Sequence, residues 1–344
     1  MLKMKKVVHL IPYDAVGGVE TAARTMWHMA RGRLQYEVVY VFPNEIAASP
    51  RSVLFNPISI FRCVAKMIRD PVDIVVMSLW RSALVGIIYK IIRPNTKIVL
   101  FLHNTRDAHF IDWAITRSAA ALATEIWADA SSTLSTRMPS IKTRGRVISY
   151  LPEHIVALPP IGKVTPTFIF WGRLVAQKRL DRALRIFAEI WRSRKDATFT
   201  IVGPDGGELA ALNDIVSELG IGAAVSFLGP KSIDEIKYIA VGKAFYFQTS
   251  DFEGMGLSVV EAMQLGLVPI VTGVGEIGKY CHSGENAIVI SSPSQVINEV
   301  SVLLSDADRY SCMRDAAIAT WSHRQLYSES VLDACESVLA LDKR

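Results

Sequence analysis

Glu253 and Glu261 stand seven residues apart in the stretch Ser250-Asp251-Phe252-Glu253-Gly254-Met255-Gly256-Leu257-Ser258-Val259-Val260-Glu261-Ala262-Met263. Carboxylates accept hydrogen bonds from hydroxyl groups. The apolar run at residues 244–247 reads as a buried strand, and the pattern after the two glycines reads as an amphipathic helix. Glu253 then falls in the loop and Glu261 one to two turns into the helix. The amides of Met255, Gly256 and Leu257 form the helix N-terminus, where unsatisfied N–H groups and the helix dipole favour an anion. Two carboxylates beside an anion cradle suit a ligand that is rich in hydroxyls and carries phosphate, as a nucleotide sugar does. The plainer alternative is an acidic surface loop followed by a solvated Glu. The two-glycine turn and the acid pair occurring together favour the ligand.

Other strand ends carry residues of the same kind. Residues 167–171 read as a strand, and Gly172-Arg173-Leu174-Val175-Ala176-Gln177-Lys178-Arg179 leads from it into a helix. Arg173 and Lys178 leave the strand end and meet the helix start, where two cations can flank a diphosphate. Two ordinary surface cations fit the spacing as well. Near the N-terminus, a strand at residues 6–11 is followed by Gly17-Gly18 and a helix to about residue 29. This order is the phosphate-binding arrangement of α/β sheets, and it also fits a tight turn. His103 follows a strand at residues 97–102, at the carboxyl end where α/β proteins gather their site residues. His9, His28 and His109 have no such setting.

Two further motifs are set aside. Gly273, Gly275 and Gly278 match a dinucleotide fingerprint, but Cys281-His282-Ser283-Gly284 leaves no room for the long helix it needs, so no NAD site is expected. Asp306-Ala307-Asp308 reads as a helix start with an Asp cap, so no obligatory metal is expected.

The elements that must position these residues alternate as strands and helices, which predicts parallel sheets covered by helices. A chain of 344 residues suits two domains. We place them at residues 1–155 and 156–325, joined through a stretch holding Pro152, Pro159, Pro160 and Pro166, with a terminal helix at 326–344 crossing back to the first. Residues 1–155 hold 20 Lys and Arg against 11 Asp and Glu, and the remainder holds 18 against 22. The basic first half implies an anionic partner; a membrane surface or anionic lipid carrier fits at least as well as nucleic acid, for which no binding motif is present. Residues 55–69 and 81–97 mix apolar and basic side chains, as do both sheet-packing and membrane-surface helices. The longest apolar stretches, 74–80 and 83–92, fall short of the ~20 residues that cross a bilayer. With no cleavable leader pattern and four scattered cysteines, the expectation is a cytoplasmic protein.

The E-x7-E spacing of Glu253 and Glu261, followed by Ala-Met, resembles the signature of retaining glycosyltransferases of the GT-B fold, family 4. The resemblance covers nearly the whole chain and is strongest over residues 168–290. It implies an α/β, GT-B architecture: two doubly wound Rossmann-like domains facing across a cleft, with the acceptor on the first and the donor nucleotide on the second. The implied reaction moves a hexosyl group from a UDP- or GDP-sugar to a glycan or lipid-linked glycan, in cell-envelope polysaccharide synthesis, with no obligatory cofactor. Glu253 would hold sugar hydroxyls, Glu261 the ribose, and Arg173, Lys178 and the 255–257 amides the leaving diphosphate. Gly254 belongs to the same turn. His103 would line the sugar pocket, Gly17 and Gly18 would border sugar and acceptor, and Gly203 and Lys231 would lie along the base and ribose. The chain departs from the family in Arg179, which replaces a glycine, and in Ser149-Tyr150-Leu151-Pro152-Glu153-His154, where an Asn-Gly turn is usual. A non-catalytic subunit of a glycosylation complex and a sugar-nucleotide epimerase are the alternatives. The implied location is cytoplasmic, peripheral on the inner face of the plasma membrane.

Overall fold

The computed structural model describes residues 4–14, 18–43, 56–103, 106–139, 145–160 and 162–341. The chain divides into two compact units, one of Met1–Glu153 with Gln325–Arg344 and one of His154–Arg324.

The first unit is built on β1 (Lys5–Ile11), β2 (Ala30–Arg31), β3 (Leu34–Tyr40), β4 (Ile74–Ser78), β5 (Lys97–Leu102), β6 (Glu125–Ala128) and β7 (Gly145–Val147). They form one sheet in the order β2-β3-β1-β4-β5-β6-β7, parallel except for β2. Its helices are α1 (Gly18–Arg24), α2 (Pro57–Arg69), α3 (Leu79–Ile92), α4 (Phe110–Leu122) and α5 (Ser131–Arg137). Every residue of β4 and β6 is buried, as expected of a parallel sheet covered on both faces.

The second unit carries β8 (Thr167–Trp171), β9 (Thr198–Val202), β10 (Val225–Phe227), β11 (Phe245–Gln248), β12 (Val268–Val271) and β13 (Ile288–Val289) in the order β10-β9-β8-β11-β12-β13, all parallel. Around it run α6 (Leu180–Ser193), α7 (Leu209–Glu218), α8 (Ile233–Ala240), α9 (Leu257–Leu265), α10 (Ile277–Tyr280), α11 (Pro293–Ser305) and α12 (Ala307–Ser322). Phe168 stacks on Phe245 and Phe247, while Phe187 and Phe199 close the same core. The final helix, α13 (Tyr327–Ala340), packs within the first unit, its Tyr327 amide donating to the Leu151 carbonyl at 2.7 Å. No helix among the described residues is long and apolar enough to cross a membrane.

Both sheets are doubly wound. The strand order reverses between β1 and β4 in the first unit and between β8 and β11 in the second. At such a reversal the loops leaving the two strands diverge, and a crevice opens at their carboxyl ends.

Several elements differ from the sequence reading. Helix α1 stops at Arg24 rather than near residue 29, because the Thr25 hydroxyl turns back onto the Ala22 carbonyl and His28 takes a left-handed φ of 54°. Strands β6 and β7 were not expected, since β6 opens on the charged Glu125. That carboxylate is fully buried and held by Trp127 Nε1 and by the Arg146 guanidinium. Residues 155–158 lack regular structure but are fastened, the Ile155 amide to Gln264 Oε1 and the Leu158 amide to the Leu265 carbonyl.

Gly203, which follows β9, has φ +146°, and a Cβ there would stand 1.8 Å from the Gly172 carbonyl oxygen. No side chain moves to relieve that clash, because both partners are backbone. Gly203→Ala is therefore expected to cost on the order of 3 kcal/mol, read as a lowered Tm in calorimetry. An unchanged Tm would contradict the close approach of the two turns.

Candidate functional site

The second unit places Arg173, Lys178 and Glu253 at the strand-order reversal. The turn after β8 carries Arg173 and Lys178, and the loop after β11 carries Glu253. Glu253 Oε1 accepts three hydrogen bonds: from Lys178 Nζ at 2.6 Å, Ser250 Oγ at 2.7 Å and Gln248 Nε2 at 2.8 Å. Oε2 takes none of them. The Lys178 and Glu253 side chains are 17% and 10% exposed, so this ion pair is only lightly screened by water. Lys178 has three N–H donors, and the bond to Glu253 uses one. Arg173 stands exposed, with no ion pair among the described residues.

Main-chain bonds keep the two turns together. The Asp251 amide donates to the Gln177 carbonyl at 3.0 Å, Gln177 Nε2 to the Phe252 carbonyl at 2.7 Å, and the Thr249 hydroxyl to the Arg179 carbonyl at 2.7 Å. Arg179, the residue in place of a family glycine, holds the left-handed conformation that a glycine would occupy, at φ 49° and ψ 44°. Its charge is not directed at a ligand. Its Nε and Nη2 reach the two oxygens of Asp181 at 3.0 Å, and Nη1 reaches Asp251 at 3.2 Å. The hydrogen bonds from Arg179 hold the Asp181 carboxyl below its usual range.

Helix α9 starts at Leu257, capped by Gly256. The amides of Met255, Gly256 and Leu257 donate no hydrogen bond among the described residues, while the Tyr280 hydroxyl donates to the Met255 carbonyl at 2.7 Å. These amides are the free donors that an anion requires. Glu261 lies on the second turn of α9, where Trp171 Nε1 donates to its Oε2 at 2.7 Å. Beneath the Glu253 loop lies the glycine motif of residues 273–278. A Cβ on Gly275 would stand 2.1 Å from the Glu253 carbonyl oxygen, and the Glu276 amide donates to the Gly254 carbonyl at 3.0 Å. Helix α10, after the motif, has four residues. The motif therefore serves as a backbone bed for the Glu253 loop.

The remaining predicted residues lie apart from this cluster. Lys231 is exposed, its ammonium 3.2 Å from Glu235. Gly203 faces Gly172 and donates to the Gly229 carbonyl at 2.8 Å. Asp306 caps α12 by accepting from the Arg309 amide. In the first unit, Gly18 is the first residue of α1, and Gly17 lies outside the described residues. His103 is buried just after β5, its Nε2 2.8 Å from Ser78 Oγ. His9, which the sequence reading passed over, meets the same hydroxyl at 2.7 Å. Gln248 and Ser250 were also missed. Gln248 is a fully buried amide at the end of an apolar strand, and that was the available signal.

A family model described as Glycosyl transferases group 1 matches residues 158–320. The D-inositol 3-phosphate glycosyltransferase of Rhodococcus jostii is 28% identical over 167 residues, which is 45% of this chain and 37% of that protein. The chain thus spans little more than a third of the length of that curated relative. Among solved structures, Anabaena HepE in complex with UDP and glucose superposes with a TM-score of 0.74 at 18% identity, covering 97% of this chain and 100% of that one. Sucrose-phosphate synthase from Thermosynechococcus elongatus gives 0.76 at 14% identity, covering 98% and 99%. These likenesses show the fold, which is GT-B.

The Arg179 geometry sets two small effects against each other. A non-glycine residue in the left-handed region costs about 1 kcal/mol, and half-exposed ion pairs return about 0–1 kcal/mol. Arg179→Gly removes both and is expected to leave Tm nearly unchanged. Arg179→Ala loses the pairs, keeps the backbone cost and should lower Tm by about 2–4 °C. Calorimetry showing a large loss for the glycine variant would contradict this balance.

Proposed function

The chain belongs to the group 1 glycosyltransferases, and on that footing we propose that it transfers a hexosyl group, with retention, from a nucleotide diphosphate sugar to a glycan or lipid-linked glycan. The observation that carries this reading is the Lys178–Glu253 pair at the strand-order reversal, beside the three free amides that open α9. Lys178, with Arg173 and these amides, binds the pyrophosphate, and Glu253 Oε2 accepts from hydroxyls of the attached sugar. Glu261 accepts from the ribose, Gly203 and the backbone at Lys231 border the base, and His103 with Gly17 and Gly18 serves the sugar and acceptor.

As the bond from anomeric carbon to phosphate oxygen breaks, positive charge grows on the sugar ring and negative charge on the leaving diphosphate. Fixed cations and N–H donors at the diphosphate lower that barrier without reorganising. Lys178 can bridge Glu253 and a phosphate oxygen at once, which couples sugar position to leaving-group charge. The acceptor oxygen forms the new bond on the face the diphosphate leaves, and its proton passes to a diphosphate oxygen, so no protein base is needed. UDP is the favoured donor nucleotide, since the similarly folded HepE is seen with UDP. On the first unit, exposed Ile58 and Phe61 lie among Arg62, Lys66 and Arg69 on α2. That mixture supports peripheral attachment to an anionic membrane surface, for an acceptor in cell-envelope polysaccharide synthesis on the cytoplasmic side.

Under this reading UDP raises the Tm of the purified protein. Glu253→Gln keeps that upshift and loses roughly 100-fold or more in sugar transfer. Near-normal turnover in the glutamine variant, or no upshift with any nucleoside diphosphate, would count against the assignment.

A further inference from the structure

At the strand-order reversal of the first unit, three buried side chains form a polar chain. His9 lies in β1, Ser78 is the last residue of β4, and His103 follows β5. Ser78 Oγ is 2.7 Å from His9 Nε2 and 2.8 Å from His103 Nε2. A hydroxyl carries one hydrogen, so it can donate to only one of the two rings and must accept from the other. Neither Nδ1 has a hydrogen-bond partner among the described residues. His103 Nδ1 lies 3.7 Å from Asp129 Oδ2.

With both rings uncharged, two proton arrangements satisfy Ser78. In the first, His9 Nε2–H donates to Ser78, Ser78 donates to His103 Nε2, and His103 carries its proton on Nδ1. The unpartnered atom on His9 is then a bare lone pair, and the unpartnered N–H on His103 faces the Asp129 carboxylate. In the second, every direction reverses. His9 buries an N–H with no acceptor, and His103 turns a lone pair toward a carboxylate. An unsatisfied buried donor costs ~1–3 kcal/mol, and a lone pair facing a carboxylate adds repulsion. The first arrangement wins on both counts. His9 is available for it as a neutral ring, because burial, and then the neighbouring His103, push its pKa down to about 3.

We propose that Ser78 and His9 are positioning residues that lock His103 in the Nδ1–H form, with that N–H turned toward the Asp129 carboxylate. The inference rests on the reading that His103 serves the transferred sugar, and it adds which tautomer the ring holds. Which ring nitrogen of a histidine is protonated is set by the bond the other nitrogen makes, and Ser78 makes it here.

The test uses the full chain labelled with 15N-histidine, in long-range 1H–15N spectra that separate protonated from unprotonated ring nitrogens. His103 of the wild-type chain should show a protonated Nδ1 and an unprotonated Nε2. Ser78→Ala should give mixed tautomers and lower kcat/KM about tenfold, chiefly through kcat and with UDP affinity retained, and Ser78→Thr should restore both. A wild-type His103 protonated on Nε2 overturns the proposal, as does Ser78→Ala with tautomer and kcat/KM unchanged. His103→Ala with full turnover overturns instead the reading that His103 serves the sugar, and with it the functional half of the proposal. The wild-type spectrum still decides the tautomer, so the two failures are told apart.

Discussion

One carboxylate oxygen organises the second unit. Glu253 Oε1 takes three donors, Lys178, Ser250 and Gln248, that come from the turn after β8, from its own loop and from the end of β11. A charge this enclosed is stable only when its lone pairs are satisfied. The three donors therefore do more than compensate burial. They fix the carboxylate in one orientation through Oε1 and take none of the lone pairs of Oε2. A flexible loop glutamate would have to be ordered by each substrate, at an entropic cost that this arrangement has already met in folding.

Backbone contact supports that orientation from beneath. Gly275 brings the chain so close to the Glu253 carbonyl that no side chain fits, and the Glu276 amide ties down Gly254. From the side, Asp251, Thr249 and Gln177 join the Glu253 loop to the turn that presents Lys178. Arg179 adds a clamp on Asp251 and Asp181, and its left-handed backbone fits the bend without a glycine. The first unit repeats the plan with different chemistry. Its strand-order reversal gathers His9, Ser78 and His103 into a buried, hydrogen-bonded chain.

The fold was readable from the sequence because parallel strands buried on both faces leave unbroken apolar runs, and residues 167–171 and 268–271 are of that kind. Strand β6 escaped because its first residue, Glu125, is charged, and its burial depends on partners that include the distant Arg146. The acid pair and Lys178 stood out because type and spacing along one loop or helix are local properties. Gln248, Ser250 and His9 did not, since their importance lies in partners brought near by folding. Arg179 shows the limit most plainly. A guanidinium beside a candidate phosphate site fits either a phosphate ligand or a crowded helix start by sequence, and only the positions of Asp181 and Asp251 show where its charge goes.

The central claim is that the second unit grips a pyrophosphate between Lys178, Arg173 and the start of α9. The most direct measurement is calorimetric titration of the full chain with UDP and with uridine, for the wild type and for a variant carrying both Lys178→Ala and Arg173→Ala. The account predicts that UDP binds the wild type roughly 100-fold more tightly than uridine does, and that most of this gap disappears in the variant. A gap of the same size in the variant would place the pyrophosphate elsewhere and contradict the account.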